Sequence, residues 1–216
     1  MYLQKETIQA FFKLLNQGKI EYLLIKNIAD ELPAKLMVNK DIDILVSEAS
    51  LKNFDYIMKK NKFIQLIHPK GRENGWNYLY NMPECVMYKN LKSGLEVDVT
   101  TILCTKSVNM NAWIPLDKII NESVWKEREW DEDNSWWKMD DKNLVVYLIV
   151  RAVFEKNQFS DTYIYEIEKR KEYLYTEDCK KKLKCVFFSY TDTLLNLIKD
   201  NNYKSIIPSY MTFCQY

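Results

Sequence analysis

The 216-residue sequence is poor in several features that mark whole classes of protein. It has four glycines and five prolines, too few for a collagen-like or a disordered chain. It has one histidine, and its five cysteines form no Cys-x-x-Cys pair, which argues against a zinc site and a disulfide framework. The formal net charge is +1, so bulk charge gives no clear indication of a nucleic-acid partner.

The sequence also lacks a long apolar run. No segment has the length needed to span a membrane, so we expect no membrane partner. The N-terminal segment MYLQKETIQAFFKLL has neither the apolar region nor the cleavage site of a signal peptide. We therefore expect a cytoplasmic protein with reduced thiols, of one or two domains with a sizeable core.

Alternating helix and strand patterns fill the first half. Apolar residues at helical spacing predict a helix over 5–17 that ends at Gly18, and Ser47 is a candidate N-cap for a helix over 48–61. The strands predicted between and after these helices are 20–25, 41–46, 63–67, 85–88 and 95–103, the last two as a hairpin.

The pattern changes near Asn111. Five tryptophans between 113 and 137 predict packing at a domain junction more readily than stacking on sugars or bases. Helices follow, with candidate caps at 140 or 141, 160 or 161, and 176, and a last helix over 186–200. We predict two domains, 1–112 and a mostly helical 113–216, that pack together.

Two aspartates lie within the segment Lys40–Val46, KDIDILV. Strand residues alternate between faces, so Asp41 and Asp43 would share one face, with Cα atoms roughly 6.6 Å apart, while Ile42 and Ile44 face a core. Paired carboxylates repel unless a cation lies between them, and Mg²⁺ prefers such oxygen ligands. The alternative is an edge strand with two ordinary surface acids.

A second acidic strand lies further along the first half. In the segment LEVDV, Glu96 and Asp98 alternate with apolar Leu95, Val97 and Val99. If the two strands are neighbours, the acids of both lie on one surface. A solvated face of an antiparallel sheet has the same alternation and is the alternative explanation.

Together these segments resemble the nucleotidyltransferase fold of the DNA polymerase β superfamily. In particular, they are similar to a bacterial nucleotidyltransferase-like family that has the pattern LLKG…DIDLLV. The matching residues are Leu24–Asn27 and Asp41–Val46, with Asp98 at the third acid, and LVVYLIVRAVFEK is similar to the family's C-terminal helices. The resemblance implies an α+β fold, a nucleotidyltransferase-type mixed β-sheet with flanking helices, followed by a C-terminal helical region.

The resemblance also implies a chemistry. Asp41, Asp43 and Asp98 would hold Mg²⁺ or Mn²⁺ and transfer a nucleoside monophosphate from an NTP to a hydroxyl or phosphate acceptor, with release of pyrophosphate. Glu96 is the reserve third ligand. The family's turn glycines, which allow close approach to phosphates, are replaced here by Lys26 and Asn27. Asn27 tolerates a left-handed turn, and Lys26 offers a charge to the phosphates.

Two other functions stay open. A degenerate binding or regulatory module would explain the missing glycines, and a glycosyltransferase would use Asp-x-Asp to hold Mn²⁺ and a sugar nucleotide. The sequence does not identify the acceptor: a small molecule, a sugar phosphate, a protein and RNA are all compatible with it. Lys70 and Arg72 are further candidates for phosphate contact, and His68 for a general base, although a loop position favours a structural role for His68.

Overall fold

The computed structural model describes residues 1–66, 86–107 and 113–214. The chain forms two compact units, the first made of Met1–Leu103 and Glu127–Met139, the second of Cys104–Lys126 and Asp140–Tyr216. The boundary that we predicted at residue 112 therefore falls inside a segment of the second unit, and the chain returns to the first unit afterwards. Within the described ranges, no helix has the length and hydropathy of a membrane span.

Among the described residues, a mixed sheet of seven strands forms the centre of the first unit, with the strand order β3-β4-β5-β2-β1-β9-β8. Strands β2 and β5 are parallel, as are β1 and β9, and the other neighbours are antiparallel. This confirms the predicted mixed sheet. The strands are β1 Tyr22–Leu24, β2 Asp41–Val46, β3 Phe63–Leu66, β4 Val86–Asn90, β5 Glu96–Thr100, β8 Glu129–Asp131 and β9 Trp136–Lys138.

Two amphipathic helices cover the apolar face of this sheet. Helix α1 spans Lys5–Gln17 and helix α2 spans Glu48–Lys60, close to the predicted ranges. Their buried side chains form one core with the inward residues of β2 and β5. The members that carry this contact are Ile8, Phe11, Phe12, Leu15, Phe54, Met58, Ile42, Ile44, Val97 and Val99. The helical and the alternating spacing of apolar residues in the sequence thus match the helices and strands that the structure contains.

Gly18 ends α1, as predicted, but for a different reason. Its φ is −76°, and the left-handed residue is its neighbour Lys19, with φ 52°. A Cβ at Gly18 would lie 2.2 Å from Cδ1 of Ile57 on α2. The close approach of α2 therefore favours glycine here, since a larger residue has to displace the terminal methyl group of Ile57.

The tryptophans of β8 and β9 divide between core and surface. Trp136 is 1% exposed and its ring lies 4.6 Å from that of Phe12, so it packs in the core of the first unit rather than at the predicted domain junction. Trp137 and Trp130 are half-buried and meet edge to face at 5.3 Å. The short strands that carry them were not predicted.

The second unit is mostly helical, as predicted. A two-stranded antiparallel ribbon, β6 Cys104–Lys106 and β7 Trp113–Pro115, precedes its long helices. Asp140, Ser160 and Thr176 each accept a hydrogen bond from a backbone N–H at the start of the following helix. The helices are α3 Lys118–Lys126, α4 Asp141–Phe154, α5 Asp161–Glu168, α6 Glu177–Phe187, α7 Thr191–Lys199 and α8 Ile206–Thr212.

One predicted helix boundary in this unit is wrong. We expected a helix over 186–200, but α6 extends to Phe187 and α7 begins at Thr191. The break lies at Phe188, whose φ is 49°, a conformation that a helix cannot contain. A bulky residue is seldom found there, which is why the sequence pattern placed the break before residue 186 rather than at Phe188.

Candidate metal and nucleotide site

The pairing of β2 with β5 brings the predicted acids together. In this parallel pair Asp43 lies opposite Asp98, and Asp41 lies opposite Glu96. Residues that are paired on neighbouring strands project from the same face, so all four carboxylates share the face away from the α1 and α2 core. Oxygen atoms of Asp41, Asp43 and Asp98 lie within 4.8 Å of one another. The predicted juxtaposition of the two acidic strands is therefore present.

The backbone beneath these acids is held firmly by the core. Ile42 and Ile44 alternate with the aspartates of β2, and Val97 and Val99 flank Asp98 on β5. All four apolar side chains are at most 1% exposed. Since the side-chain period of a strand is two, burial of one set fixes the opposite projection of the acids.

Glu96, the reserve third ligand, has a different partner. Its Oε1 lies 2.5 Å from Nζ of Lys89, which is opposite it on β4. Asp98 has its oxygen among those of Asp41 and Asp43, whereas Glu96 is not part of that group. The geometry therefore favours Asp98 over Glu96 as a partner of the two β2 aspartates.

Lys26 also lies at the acids. It follows β1, and its Nζ donates to Oδ2 of Asp43 in an ion pair. The side chains of Lys26 and Asp43 are 18% and 20% exposed, so the pair is partly shielded from water. The predicted phosphate-binding lysine thus contacts the central carboxylate of the group, a contact that the sequence pattern did not reveal.

Asn27 has a structural role in the loop that follows. Its φ is −133°, so the expectation of a left-handed turn at this residue is wrong. The left-handed residues are Ala29 and Asp30, with φ 57° and 50°. The Asn27 side chain accepts from the backbone N–H of Leu32 at 2.9 Å and donates to its carbonyl at 3.3 Å, and so closes the loop. Contact of Asn27 with a nucleotide stays a prediction.

The donor set fits a magnesium or manganese ion. Both metals prefer hard carboxylate oxygens. Two oxygens of an octahedral Mg²⁺ site are about 3.0 Å apart in cis and about 4.2 Å apart in trans, given metal–oxygen distances of about 2.1 Å. The three carboxylates span 4.8 Å, so small side-chain rotations bring their oxygens within this range. The three carboxylates therefore fit such an ion chemically. Metal ligation by Asp41, Asp43 and Asp98 stays a prediction.

A groove elsewhere on the first unit does not include these acids. It measures about 950 Å³ and is lined by the N-terminal residues, α1 and the ends of β3–β5. Its side chains include Phe11, Phe63 and Leu95, which belong to the α1 and α2 side of the sheet. The predicted roles of His68, Lys70 and Arg72 lie outside the described residues.

Comparisons with known proteins show a likeness of shape. No family model matches the chain, and no curated protein matches it in sequence. The antibiotic-resistance factor ANT(2'')-Ia aligns with a TM-score of 0.49 and 8% identity, over 92% of this chain and 96% of its own. An antigenic nucleotidyltransferase-like protein from Paracoccidioides brasiliensis aligns with a TM-score of 0.48 and 11% identity, over 94% and 91%. At scores below 0.5, the function of the acids has to be argued from their own geometry.

Proposed function

We propose that this chain is a metal-dependent nucleotidyltransferase. It would transfer a nucleoside monophosphate from an NTP to a hydroxyl or phosphate acceptor and release pyrophosphate. The observation that supports this most directly is the convergence of Asp41, Asp43 and Asp98, from two parallel strands, within 4.8 Å. Three carboxylates so close together repel one another, and a divalent cation removes that repulsion.

The proposed roles are those that the resemblance implies. Asp41 and Asp43 would hold the cation that accompanies the triphosphate, and Asp98 would complete the ligand set. A bound Mg²⁺ or Mn²⁺ would supply positive charge to the attacking and leaving oxygens of an in-line displacement. Lys26 lies close enough to Asp43 to contact a phosphate held there. The buried residues between the acids keep them in place before the substrate binds.

The test compares two acids of the same strand and face. Asp98→Asn removes a proposed ligand, and Glu96→Gln removes a carboxylate that pairs with Lys89. Isothermal titration with each of the four NTPs in Mg²⁺ should show binding to the wild type and to Glu96→Gln. Asp98→Asn should bind at least about tenfold more weakly because the cation loses an oxygen ligand. Melting curves of each protein, with and without Mg²⁺-NTP, give an independent measure of binding.

The outcomes separate the candidate functions. Equal nucleotide affinity of the wild type and Asp98→Asn would contradict the proposed metal site. Absence of nucleotide binding in the wild type would favour the degenerate module instead. Stabilisation by UDP-sugars with Mn²⁺, but not by NTPs, would favour the glycosyltransferase.

A further inference from the structure

The central carboxylate of the acidic group already has a cation. The ammonium group of Lys26 contacts Oδ2 of Asp43, the aspartate that lies opposite Asp98 and shares β2 with Asp41. Four fifths of each partner's side-chain surface is shielded, with exposed fractions of 18% and 20%. A metal ion that binds this oxygen of Asp43 competes with the lysine for it.

The backbone at this place is fixed, so displacement needs only a side-chain rotation. The N–H of Ile25, the residue before Lys26, donates to the carbonyl of Asp43 at 3.0 Å. The segment after β1 and strand β2 are therefore joined at the point from which the Lys26 side chain extends. Its stem of four carbons is flexible, and its ammonium is a point charge without the planar geometry of arginine. The group can exchange one anionic partner for another within its reach.

A triphosphate supplies such a partner. Lysine makes charge-assisted hydrogen bonds to phosphate oxygens as it does to carboxylates. When Lys26 turns to a phosphate, Asp43 is released for the cation that accompanies the nucleotide. Among the described residues, two other lysines next to these acids are bound elsewhere: Lys40 pairs with Glu31 at 2.5 Å and Lys89 pairs with Glu96 at 2.5 Å.

We infer that Lys26 acts as an internal cation that occupies Asp43 until a nucleotide arrives. This rests on the proposed function. Metal alone then binds weakly, because it competes with the lysine, and metal and triphosphate each favour binding of the other. Such coupling is reciprocal, so it is measurable from either ligand. The site would be protected from loading with metal in the absence of nucleotide.

The test uses two ligands, and Lys26 should lower the affinity for the first and raise the affinity for the second. The first is Mn²⁺ alone, measured by electron paramagnetic resonance of the free ion. The second is the preformed complex of Mn²⁺ with inorganic tripolyphosphate, measured by calorimetry, which avoids any preference for a base. Lys26→Met should bind Mn²⁺ alone about tenfold or more tightly than the wild type, because a neighbouring positive charge is gone. It should bind the tripolyphosphate complex several-fold more weakly.

A matched control separates the contact from general electrostatics. Lys40→Met also removes one positive charge, next to Asp41, but from a lysine that pairs with Glu31. It should bind both ligands within about twofold of the wild type, as expected for an exposed charge. Lys26→Arg keeps the charge and can hold a carboxylate with two hydrogen bonds, so it should weaken Mn²⁺ binding further. It serves as the test if Lys26→Met fails to fold.

The results that overturn the inference are distinct from those that overturn the proposed function. Unchanged or weaker Mn²⁺ binding by Lys26→Met, or the same gain in Lys40→Met, overturns the role of Lys26. The proposed function stands in that case if the wild type binds the tripolyphosphate complex and Asp98→Asn does not. If no variant binds Mn²⁺ in either form, the metal site fails and both proposals fail with it.

Discussion

The charge of Asp41 should cost the unliganded protein stability. Its neighbours Asp43 and Asp98 have oxygens within 4.8 Å, whereas Asp41 itself is exposed. Two unit charges at this distance repel by about 0.9 kcal/mol at the dielectric constant of water and by about 3.5 kcal/mol at an effective value of 20. The exposure of Asp41 places it near the lower figure, and Lys26 and dissolved salt reduce it again.

We therefore expect Asp41→Asn to raise the free energy of unfolding by about 0.5 to 1 kcal/mol in EDTA at low salt. For a chain of this size that corresponds to roughly 1 to 4 °C in the melting midpoint. Unfolding followed by circular dichroism at 0.02 M and 0.5 M NaCl measures it. The gain should shrink at the higher salt, where the Debye length falls well below that at 0.02 M.

Mg²⁺ with nucleotide should stabilise the wild type but not Asp41→Asn. The wild type should therefore be the less stable of the two proteins without ligand and the more stable one with it. Asp133→Asn is the control, since Asp133 is an exposed acid of the first unit outside the group. It should change stability by less than about 0.5 kcal/mol under all conditions. The reasoning is refuted if Asp41→Asn is no more stable than the wild type at low salt, or if its gain is independent of salt.

Three further predictions concern packing and thiols. Trp136→Ala should lower the free energy of unfolding by about 3 to 5 kcal/mol in urea titrations, because it empties a site against Phe12; a loss below about 1 kcal/mol would contradict this. Gly18→Ala should change the free energy of unfolding by less than about 1 kcal/mol in the same titrations, because the terminal methyl group of Ile57 can rotate away and the right-handed backbone suits alanine. Burial raises the pKa of Cys104 to about 12, so iodoacetamide at pH 8 should modify Cys104 only after unfolding. Exposed Cys214 should react in the native protein, as mass spectrometry of the alkylated peptides would show.

Elements with enough residues to show a period were predictable. Helix α1 displays its apolar stripe over 13 residues, and β2 displays its alternation over six. The strands β8 and β9 have three residues each, too few for an alternation, and were missed. Their place in the sheet depends on pairing with β1, which is distant in sequence.

The candidate site likewise contains residues that the sequence pattern indicated and a contact that it could not indicate. Asp41, Asp43 and Asp98 were found because each lies on a strand whose other face is apolar. The ion pair of Lys26 was not predictable, since it depends on the register of β1 against β2. The left-handed turn was placed at Asn27 on general residue preference, but the side chain of Asn27 binds Leu32 instead and the turn lies at Ala29 and Asp30.

The late return of the chain to the sheet has a consequence for synthesis on the ribosome. Asn16 on α1 donates to the carbonyl of Ser135 at 2.8 Å across 119 residues of sequence, beside the contact of Phe12 with Trp136. Contacts of such separation form late, because a long loop has to close first. Until the β8–β9 segment emerges, the nascent sheet ends at β1 with an unpaired edge, and Phe12 lacks its contact with Trp136. Such an edge can pair with other chains, so we expect the nascent protein to be open to aggregation and to chaperone binding during this interval.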